Sequence, residues 1–527
     1  MNKSNIISAF SIHGFTLRRE ALNYLQQEID SLGVDQRKEA LQSILDHVNG
    51  QNLSSSMLEK SVIESAVKNF YHASDVDEVP LNVFDAFSFV RYTYDLDSKR
   101  FIKWDTLHKK PSSLHGSPDS KANIFREIFK VIQQRTIRHH LFAPPAISEG
   151  SNQNQAYTLF TVEHVLGSSS KDTNIIVLGM LTQLKEGQFY LEDPTGVVRL
   201  NLSKTTYKGG LFTENSIVMV EGNYEDRVFY VSALGFPPAE SADVSLSFFQ
   251  TFHPASSEHS YIHRLSDDLK RSEQIHGDAM FVFLSDVWLD QLKVMQKLQI
   301  LFAGYSLMPP TVFVLIGNFL SLSGVGSSSK VFEECFSKLG QLISEFPRLV
   351  TESQFVIVPG PDDPGVPYVL PRPAIPFSYV GDFKKKVPNA IFASNPCRLQ
   401  YCSQDILIFR EDIISKMCRN SIYTPWEYEE KVDIPSLFVK SVIGNAHLLP
   451  LALNVAPRYW EYDYALWLYP LPDVVVCADK YDPYTVTSNN CTFFNPGSLP
   501  RSNFAFKVYF PAARQVEDSE ISDETLS

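Results

Sequence analysis

The chain has 527 residues, of which 44% are hydrophobic and 12% aromatic, so it can bury large cores, and its length favours about three domains. It carries 47 Lys and Arg against 60 Asp and Glu, a formal charge of -13. This balance is opposite to that of proteins that coat phosphate backbones, so any contact with nucleic acid must be local.

The cysteines lack the short-spaced pairs of a zinc finger or zinc ribbon, which favours buried thiols in a reducing compartment. They are Cys335, Cys397, Cys402, Cys418, Cys477 and Cys491. The N-terminal residues lack the pattern of a secretory signal, and no apolar stretch approaches the roughly 18 residues of a membrane span. We therefore expect a soluble intracellular protein without a membrane segment.

A helical period over residues 1–72 predicts an N-terminal helical domain. Its first amphipathic helix is expected to begin with Thr16 as the N-cap, and a second helix starts at Asp35. A capping box from Ser56 to Glu59 opens a third. Together these three segments predict a small helical bundle.

Residues 73–118 mix Asp, Pro, Ser and Lys with scattered aromatic residues, which is typical of a linker. Residues 119–145 are predicted to form a connecting helix with many basic side chains. These are Arg126, Lys130, Arg135, Arg138, His139 and His140. The helix could contact phosphates, but a solvated or interdomain face is the favoured interpretation.

Residues 146–240 contain short β-like segments broken by Gly, Asn and Pro, a spacing that predicts a small barrel of the OB-fold kind. An OB fold can bind single strands through stacked aromatics over a basic groove. Here Lys185, Arg199 and Arg227 alternate with many Glu and Asp side chains. We therefore expect protein contact, with DNA contact weak or indirect.

Residues 275–512 alternate apolar strand-like runs with helical segments, which predicts an α/β domain. The runs AMFVFLSDVWL, TVFVLIGNFL and QFVIVPGPDD each end in a polar turn, so a site is expected at the carboxyl ends of the strands. The aromatic segment at 458–473 is either core or interface. Residues 513–527 are acidic and predicted to be disordered.

The order and spacing of these strand ends resemble the calcineurin-like metallophosphoesterases, whose successive loops hold two metal ions with Asp, Asn and His. The family loop D-x-H is matched here by Asp286-Val287-Trp288, the G-D loop by Gly317-Asn318, and the third loop by Gly360-Pro361-Asp362-Asp363. A histidine-bearing loop is matched by His447, and G-H-x-H-x-P by Ala478-Asp479-Lys480-Tyr481-Asp482-Pro483.

Several of these replacements remove a metal ligand. Trp288 and Tyr481 stand where the family has imidazoles, and neutral Asn318 is a poor substitute for a bridging carboxylate. His447 is the only histidine after residue 276. We therefore predict an inactive phosphoesterase-like domain with no catalytic residues, no metal and no cofactor.

Two alternatives remain at this point. The residual carboxylates could hold a single hard cation through oxygen ligands, although aspartates that cap turns are the favoured interpretation. These carboxylates are Asp286, Asp362, Asp363 and Asp479. The alternative function is an active metal-dependent phosphodiesterase or nuclease.

An OB barrel followed by a ligand-depleted phosphoesterase domain resembles the B-subunits of the eukaryotic replicative DNA polymerases. The segments most similar to the epsilon branch are GFTLRREALNYL, YLEDPTGVVRLNL, FVFLSDVWLD, FASNPCRLQYCSQDILIFRED and FFNPGSLPRSNFAFKVYFP. The resemblance covers nearly the whole chain. It implies a non-catalytic accessory subunit of DNA replication and repair that works in the nucleus.

The same resemblance implies partners. The OB and phosphoesterase-like domains would bind the zinc-binding C-terminal domain of the catalytic subunit of DNA polymerase epsilon. The N-terminal domain would contact the GINS part of the replicative helicase. The small histone-fold subunits of the complex would be reached only indirectly.

Overall fold

A computed structural model of the chain separates into two compact units, one that ends before Leu81 and a larger one that starts there. The structure describes residues 3–12, 15–31, 81–104, 112–143, 157–167, 174–249, 267–321, 329–365, 368–427 and 431–522, with isolated residues between 37 and 67. None of the helices within these ranges is both long and apolar enough to span a bilayer.

The N-terminal unit contains two described helices, α1 (Lys3–Ile12) and α2 (Arg19–Ser31), and two short parallel strands, β1 (Thr16–Leu17) and β2 (Met57–Leu58). Apolar residues spaced four apart on α2 pack into a common core with residues from both ends of the unit. They are Ala21, Leu25 and Ile29. The predicted amphipathic face is therefore confirmed.

One boundary of this unit was predicted wrongly. Thr16 is not an N-cap, because it lies in β1 and α2 begins at Arg19. The predicted helix start at Asp35 and the capping box of Ser56 and Glu59 lie outside the described residues.

The predicted linker over 73–118 needs correction, because part of it belongs to the larger unit. Three strands form here, β3 (Leu81–Asp85), β4 (Tyr92–Asp95) and β5 (Arg100–Lys103). Four of the aromatics that looked scattered in the sequence are buried, namely Phe89, Tyr92, Tyr94 and Phe101, and the ring of Phe101 stacks on that of Phe249 at 4.5 Å. Burying their apolar surface in a folded domain is more favourable in free energy than leaving it exposed to water on a linker.

Helix α3 (Pro118–Arg138) begins with a capping box between Ser117 and Ser120 and with proline at its first position, both of which favour helix initiation. Arg135 on this helix is only 3% exposed and donates to the backbone oxygens of Ile443 and Gly444, the latter at 2.7 Å. The basic helix therefore has an interdomain face, as the sequence favoured.

The predicted OB fold is confirmed as a closed barrel. Its strands are β6 (Leu159–Phe160), β7 (Ile175–Lys185), β8 (Gln188–Asp193), β9 (Gly196–Asn201), β10 (Thr206–Lys208), β11 (Ile217–Glu225) and β12 (Val228–Gly235). The order β9-β8-β7-β11-β12 closes because β12 also pairs in parallel with β9. Helix α4 (Val162–Gly167) contacts the barrel, whose interior is filled by inward-facing aliphatic and phenylalanine side chains.

The α/β domain has two six-stranded sheets. The first has the order β16-β15-β14-β13-β22-β23 and contains β13 (Phe281–Ser285), β14 (Val312–Ile316), β15 (Gln354–Val358), β16 (Ile391–Phe392), β22 (Ala505–Phe510) and β23 (Gln515–Glu520). Strands β13 to β16 are parallel. Nearly every residue of β13, β14 and β15 is buried, as expected for central parallel strands.

The second sheet has the order β20-β21-β19-β18-β17-β3 and contains β17 (Cys397–Tyr401), β18 (Gln404–Arg410), β19 (Val474–Ala478), β20 (Tyr484–Ser488) and β21 (Cys491–Asn495). The associated helices are α5 (Ala242–Leu246), α6 (Asp267–Ile275), α7 (Leu292–Tyr305), α8 (Ser329–Ser344), α9 (Pro347–Glu352), α10 (Phe377–Lys386), α11 (Ile413–Arg419) and α12 (Ile434–Gly444). Two apolar cores fill this domain, one for each sheet and its helices.

The acidic C-terminal segment was predicted to be disordered over 513–527, and this is wrong for its first part. Residues 515–520 form β23, an edge strand that pairs antiparallel with β22. The buried ammonium group of Lys507 forms an ion pair with Asp518. Strand pairing and this charge compensation order a segment whose composition alone favours disorder.

Candidate functional site

The carboxyl ends of β13, β14 and β15 lie side by side. Ser285 is in register with Ile316, and Ile316 with Val358, so the loops that follow these strands meet at one edge of the sheet. These loops carry four of the predicted site residues, Asp286, Asn318, Asp362 and Asp363. We call these four, together with Arg410, the strand-end site.

The polar groups of the strand-end site hydrogen-bond mainly to one another and to the loop backbone. The Asn318 side chain donates to Asp362 at 2.9 Å, and its backbone N–H donates to Asp286 at 3.2 Å. Asp363 accepts from the backbone N–H groups of Phe319 and Gly360 at 2.8 and 2.7 Å. These are the contacts of aspartates that cap turns, and they occupy lone pairs that a cation would need.

Two glycines allow these loops to approach. A Cβ atom at Gly317 would lie 2.5 Å from the backbone nitrogen of Gly360 and closer still to the Asp363 carboxylate. A Cβ atom at Gly360 would lie 2.6 Å from the backbone nitrogen of Asn318. Any larger residue would separate the loops, so the glycines of the resemblance have a direct packing role here.

The centre of the strand-end site is a fully buried arginine that the sequence interpretation missed. Arg410 ends β18, and its guanidinium donates to Asp286 at 2.9 Å, to Asp412 at 2.8 Å and to the Gly317 carbonyl at 2.8 Å. A fourth bond, at 3.3 Å, reaches the carbonyl of Ala478. The guanidinium therefore joins the loops of both sheets.

The charges of this arrangement compensate each other. Burial alone would lower the pKa of Arg410, but the charges of Asp286 and Asp412 raise it above its usual value, so the group stays cationic. Burial would likewise raise the pKa of Asp412, yet Arg410 and Lys480 lower it to about 2. The protein thus supplies its own cation beside the carboxylate that a phosphoesterase would present to metal.

Asp479 follows β19 in the second sheet and caps a different pair of backbone groups. Its carboxylate accepts from the N–H groups of Ile414 and Tyr481, both at 2.9 Å. Burial raises the pKa of Asp479 to about 6, as burial also does for Asp363. Both carboxylates are desolvated, which makes their backbone donors necessary.

The two residues that replace imidazoles serve in packing. Trp288 packs against the core of the first sheet, and the guanidinium of Arg501 lies 5.3 Å from the centre of its ring. Tyr481 packs against the core of the second sheet, and burial raises the pKa of its phenol. A neutral phenol and an indole give a metal ion little to bind.

His447 belongs to a separate buried cluster rather than to the strand-end site. Its Nε2 atom lies 3.2 Å from Asp463, and its Nδ1 atom accepts from the backbone N–H of Leu449 at 2.8 Å. Asp463 also pairs with Arg458 at 3.0 Å and accepts from the indole of Trp467 at 2.9 Å. Burial lowers the pKa of His447, so the imidazole fixes the 458–473 segment as a neutral group.

The residues therefore do not fit two metal ions. Within the described ranges, no group of three or more His, Cys, Asp or Glu side chains is arranged to hold a metal ion. Arg410 already neutralises Asp286, and a second cation beside it would be repelled.

The sequence reasoning also missed Arg372, a buried arginine near this site. It is 3% exposed, and its nearest acidic partner among the described residues is Glu411, at 4.0 Å. Burial lowers its pKa.

The sequence does contain a signal that could have located Arg410. It is the pattern F-R-E-D at 409–412, in which a basic residue at the end of an apolar strand is followed by two acids.

Comparisons with known protein families match three regions of the chain. The family described as DNA polymerases epsilon N terminal matches residues 2–70, and DNA polymerase epsilon subunit 2-like, OB-fold domain, matches residues 118–238. The family of the DNA polymerase alpha/epsilon B-subunits matches residues 281–486. The OB match thus includes helix α3, which the sequence interpretation had assigned to a separate connecting segment.

Full-length relatives give the same result. Proteins named DNA polymerase epsilon subunit 2 from Bos taurus and Homo sapiens are each 44% identical to this chain, over 98% of it and 98% of their own length. A solved archaeal phosphodiesterase aligns with 46% of this chain and 98% of its own, at 9% identity and a TM-score of 0.26. By its similarity to the two polymerase subunits, the chain belongs to the family of DNA polymerase epsilon B-subunits, accessory subunits of a replicative polymerase.

Proposed function

We propose that this chain is a non-catalytic scaffold of the DNA polymerase epsilon complex, which works in the nucleus in DNA replication and repair. It binds the zinc-binding C-terminal domain of the catalytic subunit and connects it to the GINS part of the replicative helicase. The observation that carries the proposal is Arg410, whose guanidinium is fully buried against Asp286 at the strand-end site. A site that is internally neutralised favours a scaffold over hydrolysis.

The OB barrel and the phosphoesterase-like domain provide a single platform for the catalytic subunit. The backbone N–H of Ile217 in the barrel donates to the Asn445 side chain at 2.7 Å, and that of Leu211 donates to Ser441 at 2.8 Å. Both bonds are buried and meet the C-terminal turn of α12. Such bonds fix the orientation of two domains, which suits a protein that presents one surface to a partner.

The N-terminal unit supports the second connection. It has its own apolar core, separate from the cores of the larger unit. A domain of this kind can bind a second partner while the platform stays on the polymerase, because connection through the chain raises the effective concentration of both sites. By the family resemblance, the helicase component GINS is the partner of this unit.

Reconstitution tests this proposal. The full chain is expected to co-elute in a one-to-one complex with the C-terminal domain of the polymerase catalytic subunit in size-exclusion chromatography. A chain that stays alone in that mixture would contradict the scaffold role.

Elemental analysis tests the competing hydrolase activity. We expect no stoichiometric Mn or Zn in the purified chain and no turnover of a model phosphodiester. Stoichiometric metal, together with turnover that is lost on Asp286→Asn, would favour a phosphodiesterase instead.

A further inference from the structure

A groove of about 260 Å³ lies between helix α3 and the OB barrel, away from the strand-end site. The helix contributes Ala122, Phe125 and Arg126 to its wall, and the barrel contributes Met180, Glu192 and Ile217. The groove is smaller than the roughly 300–1,000 Å³ of sites for drug-sized ligands, so its size suits one bulky side chain.

The floor and the rim of the groove differ in chemistry. Phe125 and Met180 are half-buried and Ile217 is buried, which gives a soft apolar floor. Thioether and ring groups of this kind favour an aromatic guest, because sulfur and aromatic rings attract each other weakly. The groove therefore resembles the anchor pockets that receive one aromatic residue of a partner protein.

Two charged side chains on the rim are available to a partner. Within the part of the chain that the structure describes, the side chains of Arg126 and Glu192 form no hydrogen bond or ion pair, and they do not pair with each other. The neighbouring Asp193 differs, since its carboxylate accepts from the backbone N–H groups of Val162, Thr195 and Gly196. Glu192, which is half-buried, is thus the carboxylate left to bind a cation.

We propose that this groove anchors a partner protein segment in which an aromatic residue is next to a basic residue. The aromatic side chain occupies the apolar floor, and the basic side chain pairs with Glu192. This inference rests on the proposed scaffold function, to which it adds the chemistry of one binding site. Glu192 is half-buried at the groove, whereas Arg126 is exposed to water, which screens its charge, so the rim favours a basic neighbour over an acidic one.

The test uses the full chain with ¹³C-methyl-labelled methionine, in which the Met180 signal is assigned through Met180→Leu. The probes are N-acetyl-Trp-Lys-amide and N-acetyl-Trp-Glu-amide. We expect a saturable shift of the Met180 signal, with a Kd about threefold lower for the Lys dipeptide, as is typical of an exposed ion pair. Glu192→Gln should equalise the two dipeptides, whereas the control Glu186→Gln in the exposed β7–β8 turn should keep the preference.

A second variant tests the groove itself. Ala122→Trp places an indole over the floor and should abolish the Met180 response without lowering the melting temperature. The proposal is overturned if Met180 does not respond, if Ala122→Trp responds like the unmodified chain, or if Glu192→Gln keeps the Lys preference. These outcomes are independent of complex formation with the polymerase domain, so failure here is distinguishable from failure of the scaffold function.

Discussion

Arg410 is the residue on which the strand-end site depends. Asp286 is 1% exposed and has this guanidinium as its ion-pair partner. Removing one member of a buried ion pair leaves the other charge uncompensated. We therefore expect Arg410→Met to lower the free energy of unfolding by about 3–5 kcal/mol in urea denaturation.

A matched control for this variant is Arg348→Met. Arg348 pairs with Glu352 on the exposed surface of α9 at 2.8 Å. Water screens exposed pairs of this kind, and the bond from Arg348 to the Leu307 carbonyl is exposed as well, so the control should change stability far less than Arg410→Met does. Equal effects of the two variants would show that Arg410 does not balance the charge of the site.

Arg372 presents the opposite case, because its buried guanidinium is poorly compensated. The distance of 4.0 Å to Glu411 is too long for a hydrogen bond. Replacing such a group by an apolar one of similar length removes a desolvation cost. We expect Arg372→Met to leave the free energy of unfolding unchanged or to raise it by about 1 kcal/mol. A loss of about 2 kcal/mol or more would instead indicate a strong interaction through ordered water.

Asp463 gives the protein a defined pH dependence. Burial alone would raise its pKa, but the charge of Arg458 and the hydrogen bonds from His447 and Trp467 lower it to about 2, below the roughly 3.9 of an unfolded chain. The folded state therefore binds this proton less readily, and the stabilisation is present above about pH 4 and lost as the pH falls toward 2. The shift corresponds to about 2–3 kcal/mol.

Asp463→Asn tests this linkage. The stability difference between the unmodified chain and the variant, measured by urea denaturation, should be largest at pH 7 and shrink between pH 4 and pH 3. A difference that does not change with pH would mean that the carboxylate contributes through packing or neutral hydrogen bonds only.

The loops of the strand-end site could be predicted from the sequence, but the arginine that neutralises their carboxylates could not. Asp286 and Asp363 could be placed because polar residues directly follow apolar parallel strands. Arg410 could not, because its bond to Asp286 spans 124 residues and joins two different sheets. Conversely, His447 stood out as the last histidine in the chain, yet its partner is Asp463, outside the matched loops.

At the scale of elements, composition gave the wrong prediction for a segment whose structure depends on pairing with a distant strand. The acidic segment at 515–520 has few apolar residues, but β22 provides a strand for it to pair with. The ammonium group of Lys297 also fixes the residues that follow β23, since it donates to the backbone oxygens of Ile521 and Ser522, both at 2.8 Å. Local sequence carries no information about either partner.

Truncation checks the role of β23. Removing residues 515–527 leaves Lys507 without the carboxylate of Asp518 and exposes the edge of β22. We expect a loss of about 2 kcal/mol or more in stability, because the buried ammonium group of Lys297 also loses its acceptors at Ile521 and Ser522, and increased aggregation through the open edge of β22. Removing 523–527 alone, which keeps the whole strand, should have neither effect in denaturation and light-scattering measurements.

At the scale of the whole molecule, the larger unit depends on a junction between the OB barrel and α12. Arg135 donates to the carbonyl groups of Ile443 and Gly444 at the end of α12, and the side chain of Asn445 accepts from the backbone N–H of Ile217 in the barrel. Both side chains are 3% exposed, so their hydrogen bonds are shielded from water. These shielded hydrogen bonds couple the unfolding of the barrel to the unfolding of the phosphoesterase-like domain.

The junction predicts a single cooperative unfolding transition for the barrel and the phosphoesterase-like domain in calorimetry. The double variant Arg135→Met, Asn445→Ala leaves the Gly444 carbonyl and the Ile217 N–H buried without these partners, at a cost of about 1–3 kcal/mol each. We expect it to separate the transition into two, with the barrel melting first because it has the smaller core. Two separate transitions already in the unmodified chain would mean that the domains fold independently and that the platform is formed only on the polymerase.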